Sequence, residues 1–336
     1  MRIFRNYVPA IASMFVAACA AHASPTYEGK QITIVVGFGA GGTYHQYAQL
    51  FSRHIGKQLP GSPAVIVQNM PGAGGVRMLN EAAARMRGDG ANLFLPPDTM
   101  IVTQLLAPNG VAFDASKFRY IGVADQQNTF LAVQRSSGST VDDLRRRETH
   151  IGSSGTGSTG YIITAIAKPL LGLKTSIIGG YQGSRDIILA MERREVDGSV
   201  QGWQVWKQSQ PKWFDGPDSF AATIFQVGVN ADPEAPPAPL LSSLVKPEDR
   251  PIVSILDTMG LIGRSLAAPA STPQEYVDVL RDAFTKMTQS AAFKADSQKI
   301  GLRSNPRSGQ ELEKAVVGAI NGANEQVVAR ARSLLK

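Results

Sequence analysis

The sequence predicts an α/β protein of two lobes, each a mainly parallel sheet flanked by helices. Short apolar, β-branched segments alternate with stretches of helical periodicity, and the alternation begins again near Tyr120. A run of purely helical segments follows Thr272-Pro273, where Pro273 suits the first position of a helix. The 336 residues of the chain also favour two domains over one.

The first α/β unit alternates strand and helix from its start. We expect strands at 32–36, 64–67 and 92–95 and helices at 43–59 and 76–87. Thr43 is the expected N-cap of the first of these helices. Alternation of this kind implies right-handed crossovers between parallel strands.

The second unit repeats the alternation, and the tail is helical. Strands are expected at 130–133, 149–151, 176–178 and 196–200, and helices at 161–171, 184–194, 274–288, 291–299 and 308–335. The second unit therefore looks inserted into the first. The predicted division is 24–125 plus 252–336 for lobe 1 and 126–251 for lobe 2.

The N-terminus has the pattern of a secretory signal peptide over 1–23. Arg2 and Arg5 precede a short apolar stretch, and a small-x-small site ends at Ala23. The sequence therefore predicts a periplasmic protein. A loose lipoprotein motif ending at Cys19 is the alternative, with Cys19 as a lipidated N-terminus.

Composition excludes several classes of site. Cys19 is the single cysteine, so the mature chain has neither a disulfide framework nor a thiolate metal site. The formal net charge of +7 falls to +5 without Arg2 and Arg5, which weakly favours anionic ligands. Because no basic run is interleaved with aromatic residues, nucleic acid is not an expected partner.

Two glycine-rich turns are the strongest functional signals. The segment 37–43 (GFGAGGT) follows the first strand and opens a helix, and 153–158 (SSGTGS) does the same after the strand at 149–151. Such turns leave backbone N–H groups directed at one point, which suits a carboxylate or a phosphate. Two of them in one exported chain suggest two lobes that close on one small acid.

The segment 155–160 also matches G-x-G-x-x-G, the spacing of dinucleotide-binding turns. Two observations argue against dinucleotide binding. The chain is predicted to be exported, and no acidic residue that could bind a ribose hydroxyl lies about 20 positions after the glycines. We therefore interpret this segment as a turn that binds a carboxylate through its N–H and hydroxyl groups. The structural alternative is ordinary N-capping with close packing of helix against strand.

Other candidates are single residues. His45 lies in the first turn of the helix after 37–43 and has either a ligand contact or a structural role. Arg185, at an expected helix start, pairs with Asp186, with another surface group or with a ligand carboxylate. The histidines lack metal-ligand spacing, and neither a nucleophile elbow nor a P-loop lysine is present. No metal, cofactor or enzymatic activity is therefore predicted.

Taken together, these motifs resemble the periplasmic receptors of tripartite tricarboxylate transporters, the Bug family. The resemblance covers nearly the whole mature chain. Its markers, in order, are 27–30 (YEGK), 38–42 (FGAGG), 69–75 (NMPGAGG), 89–90 (DG), 153–158 (SSGTGS), 181–183 (YQG), 196–197 (VD) and 268–273 (APASTP).

The resemblance implies a type II Venus-flytrap fold with a carboxylate ligand held between the lobes. It also implies a set of ligand contacts. These contacts fall on Ala40, Gly42, Thr43, Ser153, Ser154, Thr156, Gly157 and Tyr181. His45 and Gln201 stand where the family often has aspartate, so we expect an acid without an amine.

The sequence thus predicts a monomeric periplasmic receptor that passes a small organic acid to the membrane subunits of a transporter. A ligand-sensing co-receptor for a two-component system is the alternative. An exported enzyme is the third possibility, and it would require an acid–base pair in the cleft.

Overall fold

The structure is a computed structural model that describes residues 25–216 and 218–335. The predicted signal peptide at 1–23 and the lipidation alternative at Cys19 lie outside the described residues. None of the helices within the described ranges combines the length and the apolar character that a bilayer crossing requires.

The described residues form eleven strands. They are β1 (Gln31–Val36), β2 (Ala64–Asn69), β3 (Asn92–Leu95), β4 (Arg119–Val123), β5 (Thr129–Gln134), β6 (Thr149–Gly152), β7 (Thr175–Ile178), β8 (Gly198–Gly202), β9 (Ala221–Val227), β10 (Ser265–Ala268) and β11 (Arg307–Ser308).

The same ranges contain fourteen α-helices. They are α1 (Thr43–His54), α2 (Val76–Ala84), α3 (Met100–Leu106), α4 (Val141–Arg146), α5 (Thr159–Leu171), α6 (Ser184–Glu192), α7 (Trp203–Ser209), α8 (Leu241–Leu244), α9 (Arg250–Asp257), α10 (Met259–Ile262), α11 (Gln274–Gln289), α12 (Ala291–Lys299), α13 (Gly309–Asn321) and α14 (Glu325–Leu334).

Two mixed sheets flanked by helices confirm the α/β prediction. The first sheet has the order β11-β4-β10-β3-β1-β2, and the second has the order β7-β6-β8-β5-β9. We call the part built on the first sheet the first lobe and the part built on the second sheet the second lobe. Each sheet contains a parallel trio, β2-β1-β3 or β7-β6-β8, beside an antiparallel strand, β10 or β5. The two lobes therefore repeat one topology.

The antiparallel strands are the main departure from the predicted element order. Sequence reasoning found no strand at β4, β9, β10 or β11. The last two are only four and two residues long, and β9 is not followed directly by a helix. The single helix predicted over 308–335 is also wrong. Two helices, α13 and α14, are separated at Gly322, and Asn324 caps the second by accepting hydrogen bonds from two backbone N–H groups.

The cores explain how the helical tail is placed. Tyr47 and Phe51 of α1 pack with α11 against one face of the first sheet. Leu256 of α9 and Val328 of α14 lie instead in a core with strands of the second sheet. The C-terminal helices thus contact both lobes, and the division of the chain at residue 251 stays a prediction.

Two chain segments that connect the lobes run side by side. The N–H of Ala124 donates to the carbonyl of Arg264 at 2.9 Å, and the N–H of Arg264 donates to the carbonyl of Asp125 at 2.8 Å. This pairing fixes the backbone of Arg264 at the junction of the lobes, next to the space between them.

Candidate functional site

The first glycine turn connects β1 to α1 and leaves the start of that helix without a side-chain cap. Gly42 is the N-cap, with φ −77° and ψ 168°, and no side chain of the described residues accepts a hydrogen bond from the first turn. The predicted N-cap Thr43 is instead the first helical residue and is buried. The N-terminal N–H groups of α1 and the positive end of its dipole therefore remain available to an anion.

The second glycine turn, between β6 and α5, is organised by its own hydroxyl groups. The Ser153 and Ser158 hydroxyls are 2.9 Å apart, and Ser158 Oγ donates to the carbonyl of Gly155 at 2.7 Å. The same Ser158 oxygen accepts from the N–H of Tyr161 at 3.4 Å and so caps α5. This turn is held in shape before any ligand arrives.

The two lobes contact one another around these turns. Thr99 Oγ1 donates to the carbonyl of Gly157 at 2.7 Å, and the N–H of Gly39 donates to the carbonyl of Gln182 at 3.0 Å. The backbones also meet closely, since a Cβ added to Gly74 would lie 2.3 Å from the Ser158 nitrogen. The structure is therefore a closed arrangement of the lobes.

A small cavity lies between the closed lobes. Its volume is about 40 Å³. Both lobes line it. The first lobe contributes Phe38, Gly42, Thr43, Tyr44, Asp98 and Arg264, and the second contributes Ser153, Ser154, Ser158, Thr159, Gly160, Ser184, Ile187, Val200, Gln201, Gly202 and Val205.

The charged groups of the cavity are Arg264 and Asp98. Arg264 is 2% exposed, and its Nη1 atom lies 3.9 Å from Asp98 Oδ2. The guanidinium carbon lies over the Tyr44 ring, 4.1 Å from its centroid, which is within cation–π distance. Asp98 is 7% exposed and accepts a hydrogen bond from Thr159 Oγ1 at 2.7 Å.

Burial raises the pKa of Asp98 above its usual value, whereas Arg264 and the Thr159 hydroxyl act in the opposite direction. Burial also raises the pKa of the Tyr44 hydroxyl. That hydroxyl accepts a hydrogen bond from the N–H of Asp98 at 2.8 Å, and the Tyr44 ring stacks on Phe38 with centroids 4.7 Å apart. Two aromatic rings thus form an apolar wall beside the charged pair.

Sequence reasoning missed Arg264, Asp98, Phe38 and Tyr44 as site residues. Asp98 follows the end of β3, and Arg264 precedes the start of its antiparallel neighbour β10. Antiparallel pairing places the end of one strand next to the start of the other. A lone arginine before the apolar segment Ser265–Ala268 was the available signal, because a cation in such surroundings requires a partner.

Five of the predicted site residues line the cavity. They are Gly42, Thr43, Ser153, Ser154 and Gln201. The Gln201 amide nitrogen donates a hydrogen bond to Ser199 Oγ at 3.0 Å, and this bond orients the Gln201 side chain. These residues come from the two glycine turns and from the end of β8.

The structure places the other predicted site residues outside this cavity. Thr156 is exposed at the tip of its turn, and Gly157 packs on Ala73 of the first lobe. His45 Nδ1 is buried and has no hydrogen-bond partner among the described residues. The remaining three residues line two surface depressions at the boundary between the lobes. Ala40 and Arg185 line one of them, and Tyr181 lines the other.

The titratable groups do not form a metal centre in the part of the chain that the structure describes. No group of three His, Cys, Asp or Glu side chains there could hold an ion. The cavity instead combines one guanidinium, one carboxyl, hydroxyl groups and backbone N–H groups. Such a set is suited to binding a small polar anion.

Neither a protein-family model nor a curated protein matches this sequence. Solved structures do match its fold. The periplasmic binding protein BugD is 17% identical, with a TM-score of 0.70 over 90% of this chain and 97% of its own. MatC of Rhodopseudomonas palustris, solved with bound malate, is 17% identical, with a TM-score of 0.67 over 91% and 99%.

A third structure, an R. palustris protein with adipate, is 20% identical, with a TM-score of 0.68 over 90% of this chain and 97% of its own. This chain has the periplasmic-binding-protein fold. Coverage of at least 90% of both chains in each comparison shows that the likeness includes both lobes and not one sheet alone.

Proposed function

We propose that this protein is a periplasmic receptor that captures a small organic carboxylate between its two lobes. The observation that carries the proposal is a buried guanidinium, Arg264, beside the uncapped start of α1 in a cavity that both lobes close. Guanidinium groups and helix N-termini both favour carboxylates. The malate and adipate bound by proteins of the same fold support this ligand class.

The proposed contacts follow from the cavity. Gly42 and Thr43 contribute N–H groups of α1 from the first lobe, while Ser153, Ser154 and Gln201 contribute polar groups from the second. Both sets reach one ligand only when the lobes are closed. A ligand of this kind therefore shifts the population toward the closed form.

The proposal includes the use of the captured acid. The receptor, acting as a monomer and not as an enzyme, hands its ligand to the membrane subunits of a tripartite tricarboxylate-type transporter. Deleting the receptor should then slow uptake of the radiolabelled ligand by cells. Normal uptake with lost induction of target genes would instead identify a sensing co-receptor.

Ligand binding is tested directly by thermal unfolding of the purified protein. The panel contains acetate, lactate, succinate, malate, adipate, citrate and benzoate. A ligand that binds only the folded state raises the Tm, and the rise grows with the logarithm of its concentration relative to Kd, so at least one acid should raise it. If no acid does so and NADH does, the receptor proposal fails.

Ser154→Leu tests the location of the site. The larger side chain would occupy the cavity and should abolish the shift while leaving the unliganded Tm nearly unchanged, because Ser154 is only half-buried. Ser254→Leu on the exposed face of α9 is the matched control and should retain the full shift. A full shift in Ser154→Leu would place the site elsewhere.

A further inference from the structure

The charge balance of the cavity leads to an inference about how the ligand enters, and it rests on the proposed function. Arg264 and Asp98 both belong to the first lobe and are both almost completely buried. With Asp98 ionised, the pair is neutral overall before any ligand binds. A carboxylate that enters would leave a net negative charge in a closed space, and burial of an uncompensated charge is strongly unfavourable.

Arg264 is positioned by stacking more than by hydrogen bonding. Its distance of 3.9 Å from Asp98 exceeds hydrogen-bond length, and its Nη1 reaches the carbonyl of Gly263 only at 3.4 Å. Its Nε is buried and has no hydrogen-bond partner within the described ranges. The ring of Tyr44 supports one face of the guanidinium plane. Donors at the edge of the guanidinium thus remain for a planar, two-oxygen acceptor.

The positive charge of Arg264 favours the ionised form of Asp98 and so counteracts the rise of its pKa by burial. Burial opposes its charge, and the groups that favour ionisation are Arg264, the Thr159 hydroxyl and nearby backbone N–H groups. The other titratable side chain against it is Tyr44 of α1, which burial keeps neutral. A ligand carboxylate that engages Arg264 would offset the positive charge on which Asp98 relies.

The charged groups that act on Arg264 at the lobe junction do not provide another cation for the ligand. Asp125 and Tyr47 act on Arg264 from the side of the lobe junction, and Asp125 pairs with Arg303 at 3.5 Å. Asp125 is wholly buried, so its charge adds to the negative potential around the ligand. Arg303 also pairs with Asp232 at 3.0 Å, so among the described residues the lobe junction offers no free cation to a ligand anion.

We propose that Arg264 binds one ligand carboxylate and that Asp98 takes up one proton from solvent as the ligand enters, so that Arg264, Asp98 and that carboxylate together carry no net charge. An O–H bond forms on Asp98, and the buffer supplies the proton. The protonated carboxyl becomes a donor to a ligand oxygen. The site therefore selects acids without an amine, because an ammonium group would require Asp98 to stay ionised.

The sign of the pH dependence follows from this uptake. Ligand binding raises the pKa of Asp98, so affinity increases as the pH falls. Between the Asp98 pKa of the free protein and that of the complex, affinity changes by up to about tenfold per pH unit. Ligands that bind without proton exchange would show no such slope.

Isothermal titration calorimetry in HEPES and in Tris, whose ionisation enthalpies differ, counts the protons taken up. The probe is the acid of the panel that raises the Tm most. The wild-type protein should take up about one proton per ligand at pH 7. Asp98→Asn, which resembles the protonated carboxyl, should take up none and should bind more tightly than the wild type at pH 8.

Asp257→Asn is the control for this count. Asp257 is another partly buried carboxyl, and burial raises its pKa to about 6, but it lies on α9 outside the cavity. Its replacement should leave the proton count at one. A zero count in the wild type, or an unchanged count in Asp98→Asn, would overturn the proposal.

Arg264→Met tests whether Arg264 binds the ligand carboxylate, and Arg264→Lys is a second variant that keeps the positive charge. Loss of a charged hydrogen-bonding partner should weaken binding by at least about tenfold in Arg264→Met. Arg264→Lys should recover part of the affinity and also shows whether the fold tolerates change here. Unchanged affinity in both variants would refute the role of Arg264.

The outcomes separate this inference from the proposed function. If no acid of the panel binds, the receptor function itself fails. If acids bind with no proton uptake, only the present inference fails. Aspartate and glutamate are titrated in addition to the panel. If either binds without uptake and loses affinity in Asp98→Asn, then Asp98 holds a ligand ammonium, which contradicts the inference but retains a carboxylate receptor.

Discussion

The turn after β1 and the turn after β6 occupy the same place in the two lobes, yet they differ in chemistry. Each follows the middle strand of a parallel trio. The first turn ends at Gly42 and leaves α1 without a side-chain cap among the described residues, whereas Ser158 caps α5 after the second. Both charged groups of the cavity belong to the first lobe. One lobe thus provides the charge, and the other provides a preformed neutral surface.

This difference indicates that the two lobes contribute different kinds of groups to the ligand site during closure. A helix start without a cap and a loosely paired guanidinium attract an anion to the first lobe. The second lobe contributes hydroxyl and backbone groups that complete the enclosure. The lobes meet through backbone where glycines leave room, as at Gly74 and Gly157. Substitutions in the two lobes should therefore have different effects.

The largest effect is expected at Gly157. A Cβ added there would lie 2.6 Å from the carbonyl oxygen of Ala73 in the first lobe, so Gly157→Ala should prevent closure. We expect the ligand-induced Tm shift to disappear and small-angle scattering with ligand to report the open form. Gly179→Ala in the same lobe is the control, because a Cβ there meets nothing within 4 Å. An intact shift in Gly157→Ala would show that closure does not require this contact.

A smaller effect is expected at the capped turn. Ser158→Ala removes the N-cap of α5 and the hydroxyl contacts within the turn, which should lower the free energy of unfolding by about 1 kcal/mol. Urea unfolding of the unliganded protein measures this loss. The matched change in the first lobe, Gly42→Ala, has no side-chain hydrogen bond to lose. Equal losses in both variants would contradict the proposed difference between the turns.

The smallest effect on stability is expected for Gly42→Ser, and this variant tests the difference between the two turns most directly. The new hydroxyl supplies the cap that α1 lacks and should stabilise the unliganded protein by a few tenths of a kcal/mol. Its Cβ would lie 3.1 Å from Ser184 Oγ, a flexible group that can move.

The same hydroxyl would compete with a ligand for the N–H groups of α1. Calorimetry should therefore show weaker carboxylate binding in Gly42→Ser than in Gly42→Ala, which adds a Cβ without an acceptor. Equal affinities would mean that these N–H groups do not hold the ligand.

The regular elements were predictable because their signals are local. The strands 32–36 and 92–95 and the helix 291–299 were found almost as the structure has them, since apolar periodicity and caps lie within one segment. The helix predicted over 308–335 failed at a local signal that was overlooked, Gly322 followed by the capping residue Asn324. Mainly parallel sheets were expected, so the antiparallel strand β10 was missed.

By itself the sequence determined the two α/β units and the two glycine turns, including Gly42 and Ser153 at the cavity. These features depend on residues that are neighbours in the chain. Only the tertiary structure decided which charged groups meet there. Arg264 and Asp98 come together because β10 pairs antiparallel with β3, and the pairing of distant strands is a property of the assembled sheet and not of either segment.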